Sequence, residues 1–105
     1  MRKIRLEKSE IESICLHFCN NFGLCDRLWI FGSRVNPNAR GGDIDLYIET
    51  NWQDLSQIQE RKQNFLYALY EEIGLQQIDI VINIIGVGTY LYIYDIAKTE
   101  GVQLI

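Results

Sequence analysis

Two acidic residues and a glycine-serine pair form the part of this sequence best suited to chemistry. Asp43 and Asp45 are separated by one residue, so in a strand both carboxylates project from the same face, roughly 6 to 7 Å apart along the backbone. Carboxylates this close repel each other unless a cation lies between them. Mg²⁺ commonly binds one or two carboxylates together with substrate phosphates. Gly32 and Ser33, across a polar loop, would let the backbone approach a phosphate, so the pattern predicts a nucleotide site.

A third acidic residue, Asp79, lies in a segment whose even-numbered positions from 78 to 84 are all isoleucine. This alternation is typical of a strand, with the isoleucines packed on helices and Asp79 on the opposite face. If this strand neighbours the one that carries Asp43 and Asp45, the three carboxylates share one patch. Such a patch is sufficient for two metal ions, one near an attacking oxygen and one at the nucleotide phosphates.

The hydrophobic periodicity predicts the order helix, strand, strand, helix, strand, helix, which gives a small α/β sheet. The predicted elements run over about 9–21, 27–31, 43–49, 54–73, 76–85 and 89–100, with a short terminal strand after Gly101. A strand is the alternative to the last helix, because Tyr90, Tyr92 and Tyr94 occupy every second position. Ser9 and Glu12 form a capping-box pattern for the first helix, and Gly74 is the expected C-cap of the second.

Side-chain orientation follows from these elements. In the 43–49 strand, the even-numbered residues are expected in the core, whereas Asp43, Asp45 and Tyr47 face a cleft. The buried stripe of the long helix is expected to begin at Leu55. The three cysteines, an odd number beside apolar positions, are interpreted as reduced core thiols rather than as metal ligands.

Composition limits the class of protein. With 105 residues, 48 % of them hydrophobic, and one proline, the chain is expected to form a single domain over 1–105. The formal net charge of -4 argues against nucleic acid as the main partner, since phosphate neutralisation needs clustered Lys and Arg. The N-terminal segment lacks the apolar stretch of a secretory signal, and Asp79, Asn83 and glycines interrupt the longest apolar stretch. We therefore expect a soluble, cytoplasmic protein without a membrane partner.

The segment FGSRVNPNARGGDIDLYIE, residues 31–49, resembles the signature of the DNA polymerase beta-type nucleotidyltransferase superfamily: Gly-Ser, a loop, then Asp-x-Asp. The arginine after Gly-Ser, the Ala-Arg pair in the loop and the small size are most similar to the minimal nucleotidyltransferase (MNT) family. The resemblance extends over essentially the whole chain. It implies a nucleotidyltransferase fold like the polymerase beta palm, a small mixed sheet with helices mainly on one face.

The resemblance also implies a role for each matching residue. Gly32 and Ser33 would hold the nucleotide triphosphate, with Arg34 and Arg40 neutralising phosphate charge. The catalytic and metal-binding residues would be Asp43, Asp45 and Asp79, around two Mg²⁺ ions. An equal interpretation of the two arginines is that they are solvent-exposed cations of the loop without a ligand. The alternative for the aspartates is that they are ordinary acids on half-exposed strands.

Three positions depart from the pattern that the resemblance implies. Similar sequences often carry a basic residue and a glycine in place of Asn36 and Pro37, and a serine in place of Gly42. Pro37 also lacks an N–H that could bind phosphate. These departures put the contribution of the loop to affinity in doubt, but not the metal site.

The activity implied by the resemblance is transfer of NMP, above all AMP from ATP, to an acceptor hydroxyl. A chain this small uses its elements for the nucleotide, so something else should supply the acceptor. Minimal members resemble half of a two-gene pair whose partner is a small helical HEPN toxin, and the MNT protein acts as antitoxin by modifying a tyrosine of it. Two alternatives stay open: transfer to a small molecule such as an aminoglycoside, in a pocket formed by a homo-oligomer or partner, and a non-catalytic module that neutralises its partner by contact.

Overall fold

Three helices and four strands make up the computed structural model, which describes residues 4–105. Residues 1–3 lie outside the described residues. They belong to the N-terminal segment that was interpreted as lacking a secretory signal. The helices and strands, in chain order, are α1 (Lys8–Asn21), β1 (Arg27–Phe31), β2 (Ile44–Thr50), α2 (Leu55–Ile73), β3 (Ile78–Ile84), α3 (Tyr92–Glu100) and β4 (Val102–Gln103). A short 3₁₀ helix, Gly32–Val35, follows β1 directly. The predicted order of elements and the small mixed α/β fold are confirmed.

The strands form one mixed sheet in the order β3-β2-β1-β4. β1 pairs antiparallel with both β2 and β4, whereas β2 and β3 run parallel, connected by the long helix α2. β1 and β2 are therefore central strands, and their side chains are buried on both faces apart from exposed Arg27 and half-buried Asp45 and Glu49. This burial explains why β1 is a continuous apolar stretch rather than an alternating one.

The two faces of the sheet carry different cores. One face packs on α1 and α2 through aliphatic residues of the strands and phenylalanines of the helices; this cluster includes Leu28, Ile30 and Leu46 with Phe18 and Phe65. The opposite face packs on α3 in a smaller, mainly aromatic cluster, which consists of Trp29, Phe31, Tyr47, Tyr94 and Ala97. Two of the three helices thus lie on one face, as predicted.

Helix α2 has the ends that its sequence predicts. The Asp54 carboxylate accepts hydrogen bonds from the backbone N–H groups of Ser56 and Gln57, at 2.9 and 3.2 Å. This satisfies two of the unpaired donors at the helix start. At the other end, Gly74 adopts a φ of 86°, a conformation that favours glycine and stops the helix before β3.

Several local predictions are wrong. Helix α1 is capped at Glu7 rather than Ser9, and the Glu10 side chain accepts the Glu7 N–H at 2.9 Å. Leu55 is 65 % exposed, so the buried stripe of α2 begins at Ile58. The interpretation of the cysteines as core thiols is also wrong, because Cys19 and Cys25 are exposed.

The prediction that Tyr47 faces an open cleft is wrong as well. Tyr47 does lie on the Asp45 side of the sheet, but α3 covers it completely. Its ring stacks on Tyr94, with centroids 5.5 Å apart. Within residues 4–105, no helix combines the length and the apolar character that crossing a membrane requires.

Candidate active site

The three candidate acids lie at the start of β2 and β3. Because these strands are parallel and in register, Asp45 is directly opposite Asp79, and Tyr47 is opposite Val81. Side chains opposite each other on neighbouring strands project from the same face. Asp43 immediately precedes β2 and is exposed, as is Asp79, whereas Asp45 is half-buried. The structure thus places Asp45 and Asp79 side by side, as the alternation of their strands predicts.

The bend after β1 brings the backbone of Gly32 against the Asp45 side chain. Phe31 pairs with Asp45 in the antiparallel register, and Gly32 turns away with a φ of 75°. A Cβ atom added to Gly32 would lie only 2.2 Å from Asp45 Oδ2. Only glycine leaves room for this carboxylate. Position 32 therefore requires glycine for two reasons, the close approach of Asp45 and the positive φ.

Asp45 is the electrostatic centre of the group. Its carboxylate accepts no hydrogen bond from residues 4–105, although burial removes part of its water. Burial, followed by the negative charges of Asp79 and Asp43, raises the pKa of Asp45 above the ordinary aspartate value. A half-buried carboxylate without a donor and with two acidic neighbours is stabilised when a cation approaches.

These side chains fit a cation that retains water and shares its ligands with a substrate. Within the described part of the chain, no three His, Cys, Asp or Glu side chains form a preassembled metal cluster. Mg²⁺ does not need such a closed cage, because it usually binds through one or two carboxylates, waters and phosphates. The free oxygens of Asp43 and Asp45 are hard donors of this kind, and Asp79 retains one oxygen that is not bonded to Gln77.

Ser33 and Gly42 are packed against each other at the base of the loop. The Ser33 hydroxyl donates to the backbone carbonyl of Asp43 at 3.2 Å. A Cβ at Gly42, whose φ is 100°, would lie 2.2 Å from Ser33 Oγ. A serine at position 42, which the resemblance leads one to expect, would collide with the hydroxyl in this arrangement, so the glycine is required by the position of Ser33.

Arg5 holds the loop in place and was missed by the sequence analysis. Its guanidinium donates to the carbonyls of Ser33 at 2.8 Å, Asn36 at 3.0 Å and Gly41 at 2.7 Å. The three carbonyls come from both ends of the loop, so one planar group with several donors joins them. No local pattern around Arg5 indicates this role, because the contact spans about thirty residues of sequence.

The two loop arginines lie in different surroundings. Arg34 Nη1 donates to the Arg5 carbonyl at 2.9 Å, and the Arg5 N–H donates to the Arg34 carbonyl at 2.7 Å. Arg34 therefore fastens the N-terminal segment to the 3₁₀ helix. Arg40 is exposed on the loop, with no ion pair to another residue of the described range. A phosphate contact of either arginine stays a prediction.

A cleft of about 640 Å³ opens beside Gly32, between the loop and the end of α3. Val35, Asn36 and Pro37 line one side and Glu100 the other. This volume lies within the range of small-molecule sites, and Gly32 connects the cleft to Asp45. Glu100 was not among the predicted residues, because only the docking of α3 brings it here. A more apolar hollow of about 420 Å³ lies between Gly23–Asp26 and Asn51–Gln53. None of the three acids lines either space.

Further along the same face, Tyr47 forms a polar network instead of lining the cleft. Its hydroxyl donates to Glu49 Oε2 at 2.8 Å and accepts from Asn83 Nδ2 at 3.0 Å. Lys98 of α3 completes the network with an ion pair to Glu49 at 3.1 Å. Burial of the Tyr47 hydroxyl raises its pKa, so this tyrosine stays protonated and supports the sheet.

We compared the sequence with protein-family models and with curated proteins, and none of them matches.

Proposed function

We propose that this chain is a Mg²⁺-dependent nucleotidyltransferase that transfers NMP, above all AMP from ATP, to an acceptor hydroxyl. The single observation that supports this most is the placement of Asp45. It lies opposite Asp79 in the parallel register, directly over the Gly32 backbone, and burial together with two acidic neighbours raises its pKa. No ion pair or hydrogen bond from residues 4–105 compensates that charge, which is the condition expected of a carboxylate that binds a cation together with substrate.

The chemistry would be displacement at the α-phosphorus of the nucleotide. A bond forms between the acceptor oxygen and the α-phosphorus, and the bond to the bridging oxygen of the β-phosphate breaks, so that pyrophosphate leaves. Bound Mg²⁺ would neutralise the phosphate charge and lower the pKa of the acceptor hydroxyl. Asp43 and Asp45 would hold the cation, and Asp79, at the exposed edge, would accept the acceptor proton. Gly32 and Ser33 would position the triphosphate.

The acceptor that we propose is a tyrosine of a small helical HEPN-type toxin, so that the protein acts as an antitoxin. All three helices of residues 4–105 pack on the sheet in the two core clusters, and an acceptor supplied by another molecule accords with this arrangement. No helix of the described range remains to build a separate acceptor domain. The open cleft beside Gly32 is accessible to a partner's side chain as well as to a nucleotide.

A labelling experiment tests the proposal. The protein is incubated with Mg²⁺, ATP labelled at the α-phosphate and the product of the neighbouring gene. Label on that partner is the expected result, and the label should be lost when Mg²⁺ is chelated. Inhibition of the partner without label would instead identify a non-catalytic binding module, and label only on an added aminoglycoside would identify a small-molecule transferase.

Variants of the acids make the test specific. Asp43→Asn and Asp79→Asn should each reduce labelling at least 100-fold, since each removes a charge at the reacting phosphate. Asp95→Asn is the matched control, because Asp95 is an exposed aspartate on α3 whose carboxylate bonds Tyr90, and it should label normally. Undiminished labelling by both acid variants would rule out the proposed site.

A further inference from the structure

The outer edge of β3 is the least protected element of the fold. β3 is seven residues long and lies at one end of the sheet, and within residues 4–105 only β2 pairs with it. Its sequence, IDIVINI, contains neither proline nor lysine, the residues that usually prevent an edge strand from pairing. The opposite edge strand, β4, has only two residues. An unpaired strand of this length and composition is a template for another strand.

The hydrogen bonds to β2 determine which backbone groups point outward. The Ile44 N–H donates to the Gln77 carbonyl, and the Ile85 N–H donates to the Thr50 carbonyl, both at 2.9 Å. Since successive residues of a strand alternate in direction, the odd-numbered residues of β3 use their backbone groups on β2. The even-numbered residues, Ile78, Ile80, Ile82 and Ile84, therefore point their N–H and C=O groups to the outer edge. The Ile84 carbonyl already accepts the Val87 N–H at 3.2 Å, in the turn that follows the strand.

We propose that β3 pairs antiparallel with β3 of a second copy, which forms an isologous dimer with a continuous sheet of eight strands. In the register that pairs the whole strand, Val81 lies opposite Val81 of the partner subunit on the two-fold axis. Ile80 then exchanges hydrogen bonds with Ile82 of the partner subunit. This register uses the outward backbone groups of both strands other than the Ile84 carbonyls, about six hydrogen bonds.

The side chains are self-complementary in this register. Asp79 lies opposite Asn83 of the partner subunit, on the same face, so a carboxylate meets an amide. Asn83 Nδ2 uses one hydrogen on Tyr47 and has a second one to donate. A shift by four residues would instead place two Asp79 carboxylates against each other. Hydrogen-bond complementarity between Asp79 and Asn83 therefore favours a second copy as the partner and favours this register.

Exposed apolar residues at both ends of β3 point to the same partner. Leu75, just before the strand, is 90 % exposed, and Ile85 and Val87, just after it, are 41 % and 51 % exposed. In an antiparallel dimer, the residues before one strand meet those after the other. Leu75 would approach Val87 of the partner subunit, which covers side chains that the monomer leaves in water.

The dimer would make the candidate site composite. Asn83 of the partner subunit would lie beside Asp79 and hold its carboxylate through a hydrogen bond. The short β4 edge offers no second template, so assembly should stop at two chains. The interface itself is independent of the nucleotide chemistry, and it can be tested without an activity assay.

The first measurement is the mass of the unmodified chain by sedimentation velocity over a dilution series. A dimer that dissociates on dilution is expected, and a monomer at all concentrations up to about 100 μM would overturn the proposal. Ile84→Lys, which adds a charge at the end of the edge, should shift the equilibrium towards the monomer at least tenfold.

Cross-linking tests the register. In a background in which Cys15, Cys19 and Cys25 are replaced by serine, Val81→Cys should form an intermolecular disulfide, because opposite residues at a two-fold axis have Cα atoms close enough to be bridged. Asn83→Cys is the matched control, since its counterpart is several residues away along the strand. Cross-linking of both variants, or of neither, would refute the proposed pairing.

Discussion

Replacing Asp45 with asparagine should stabilise the metal-free protein while it abolishes transfer. Asp45 is half-buried, opposite Asp79 and close to Asp43, and its carboxylate has no hydrogen-bond donor within residues 4–105. Asparagine retains the shape that fits above Gly32 but removes the charge. The charge opposes folding, and the substitution should therefore separate the stability of the fold from its proposed function.

The magnitude follows from the spacing of the strands. Neighbouring strands lie about 5 Å apart, and unit charges at that distance repel by roughly 1 kcal/mol in water and roughly 3 kcal/mol at an effective dielectric constant near 20. The site is open to solvent, which favours the lower value. We expect a gain of about 1 kcal/mol in the free energy of unfolding, which corresponds to about 4 °C in Tm for a domain of this size.

The raised pKa of Asp45 fixes the sign of the pH dependence. Its folded-state pKa lies above the ordinary value of 3.8, so the folded protein binds this proton more tightly than the unfolded chain does. The contribution of Asp45 to the free energy of unfolding therefore falls as the pH rises from about 3.8 to the folded-state pKa. The advantage of Asp45→Asn should be complete above the folded-state pKa and should vanish below about pH 3.8.

Thermal unfolding followed by circular dichroism, with a chelator present, measures this difference at pH 7 and at pH 3.5. Added Mg²⁺ should then raise the Tm of the unmodified protein but not that of Asp45→Asn. Asp95→Asn serves as the control, because Asp95 is exposed and its carboxylate bonds Tyr90 rather than the site. A lower Tm for Asp45→Asn than for the unmodified chain at pH 7, without Mg²⁺, would refute the electrostatic argument.

Three further substitutions test the surroundings of the acids. Gly32→Ala should lower the free energy of unfolding by about 2 kcal/mol and reduce labelling, because its Cβ would overlap the Asp45 carboxylate. The control Gly88→Ala has a similar φ of 80° in open space and should cost about 1 kcal/mol in urea unfolding; equal effects would contradict the steric argument. Arg5→Ala should speed limited proteolysis between residues 36 and 41 at least tenfold, with partial rescue by Arg5→Lys, and unchanged cleavage would show that the guanidinium does not hold the loop. Tyr47→Phe should lower the free energy of unfolding by about 1 to 3 kcal/mol and leave labelling intact; a loss of labelling at unchanged stability would place Tyr47 in the site.

The sequence was most informative where local rules and the fold agree. Alternating isoleucines predicted β3, and the same alternation predicted the face that carries Asp79. Gly74 at the end of α2 was equally informative, because a glycine stop acts within a few residues of chain. These features need no knowledge of distant contacts, and the structure has them where they were predicted.

The errors arose where a distant contact overrides a local pattern. Both Glu7 with Glu10 and Ser9 with Glu12 have capping-box spacing, and the first pair is used. Glu10 also accepts a hydrogen bond from Gln76 at 3.0 Å, a contact between α1 and the segment before β3. The burial of Tyr47 depends in the same way on α3, whose position over the sheet cannot be deduced from periodicity alone.

The site was only partly predictable for the same reason. The type and spacing of Asp43 and Asp45 show that they share a face, but not that Asp45 contacts the backbone of Gly32. Arg5 and Glu100 reach the site through the folding of the two ends of the described chain. A residue that acts through such contacts has no signature in its own neighbourhood.

The parallel register of β2 and β3 has a consequence for changes in chain length. A single residue inserted in β3 ahead of Asp79 would turn its carboxylate to the isoleucine side of the sheet and bring an apolar side chain into the site. An insertion between Asn36 and Gly41 would lengthen only an exposed loop. Natural or engineered length variants that retain function should therefore differ in the loop and keep the strand lengths unchanged.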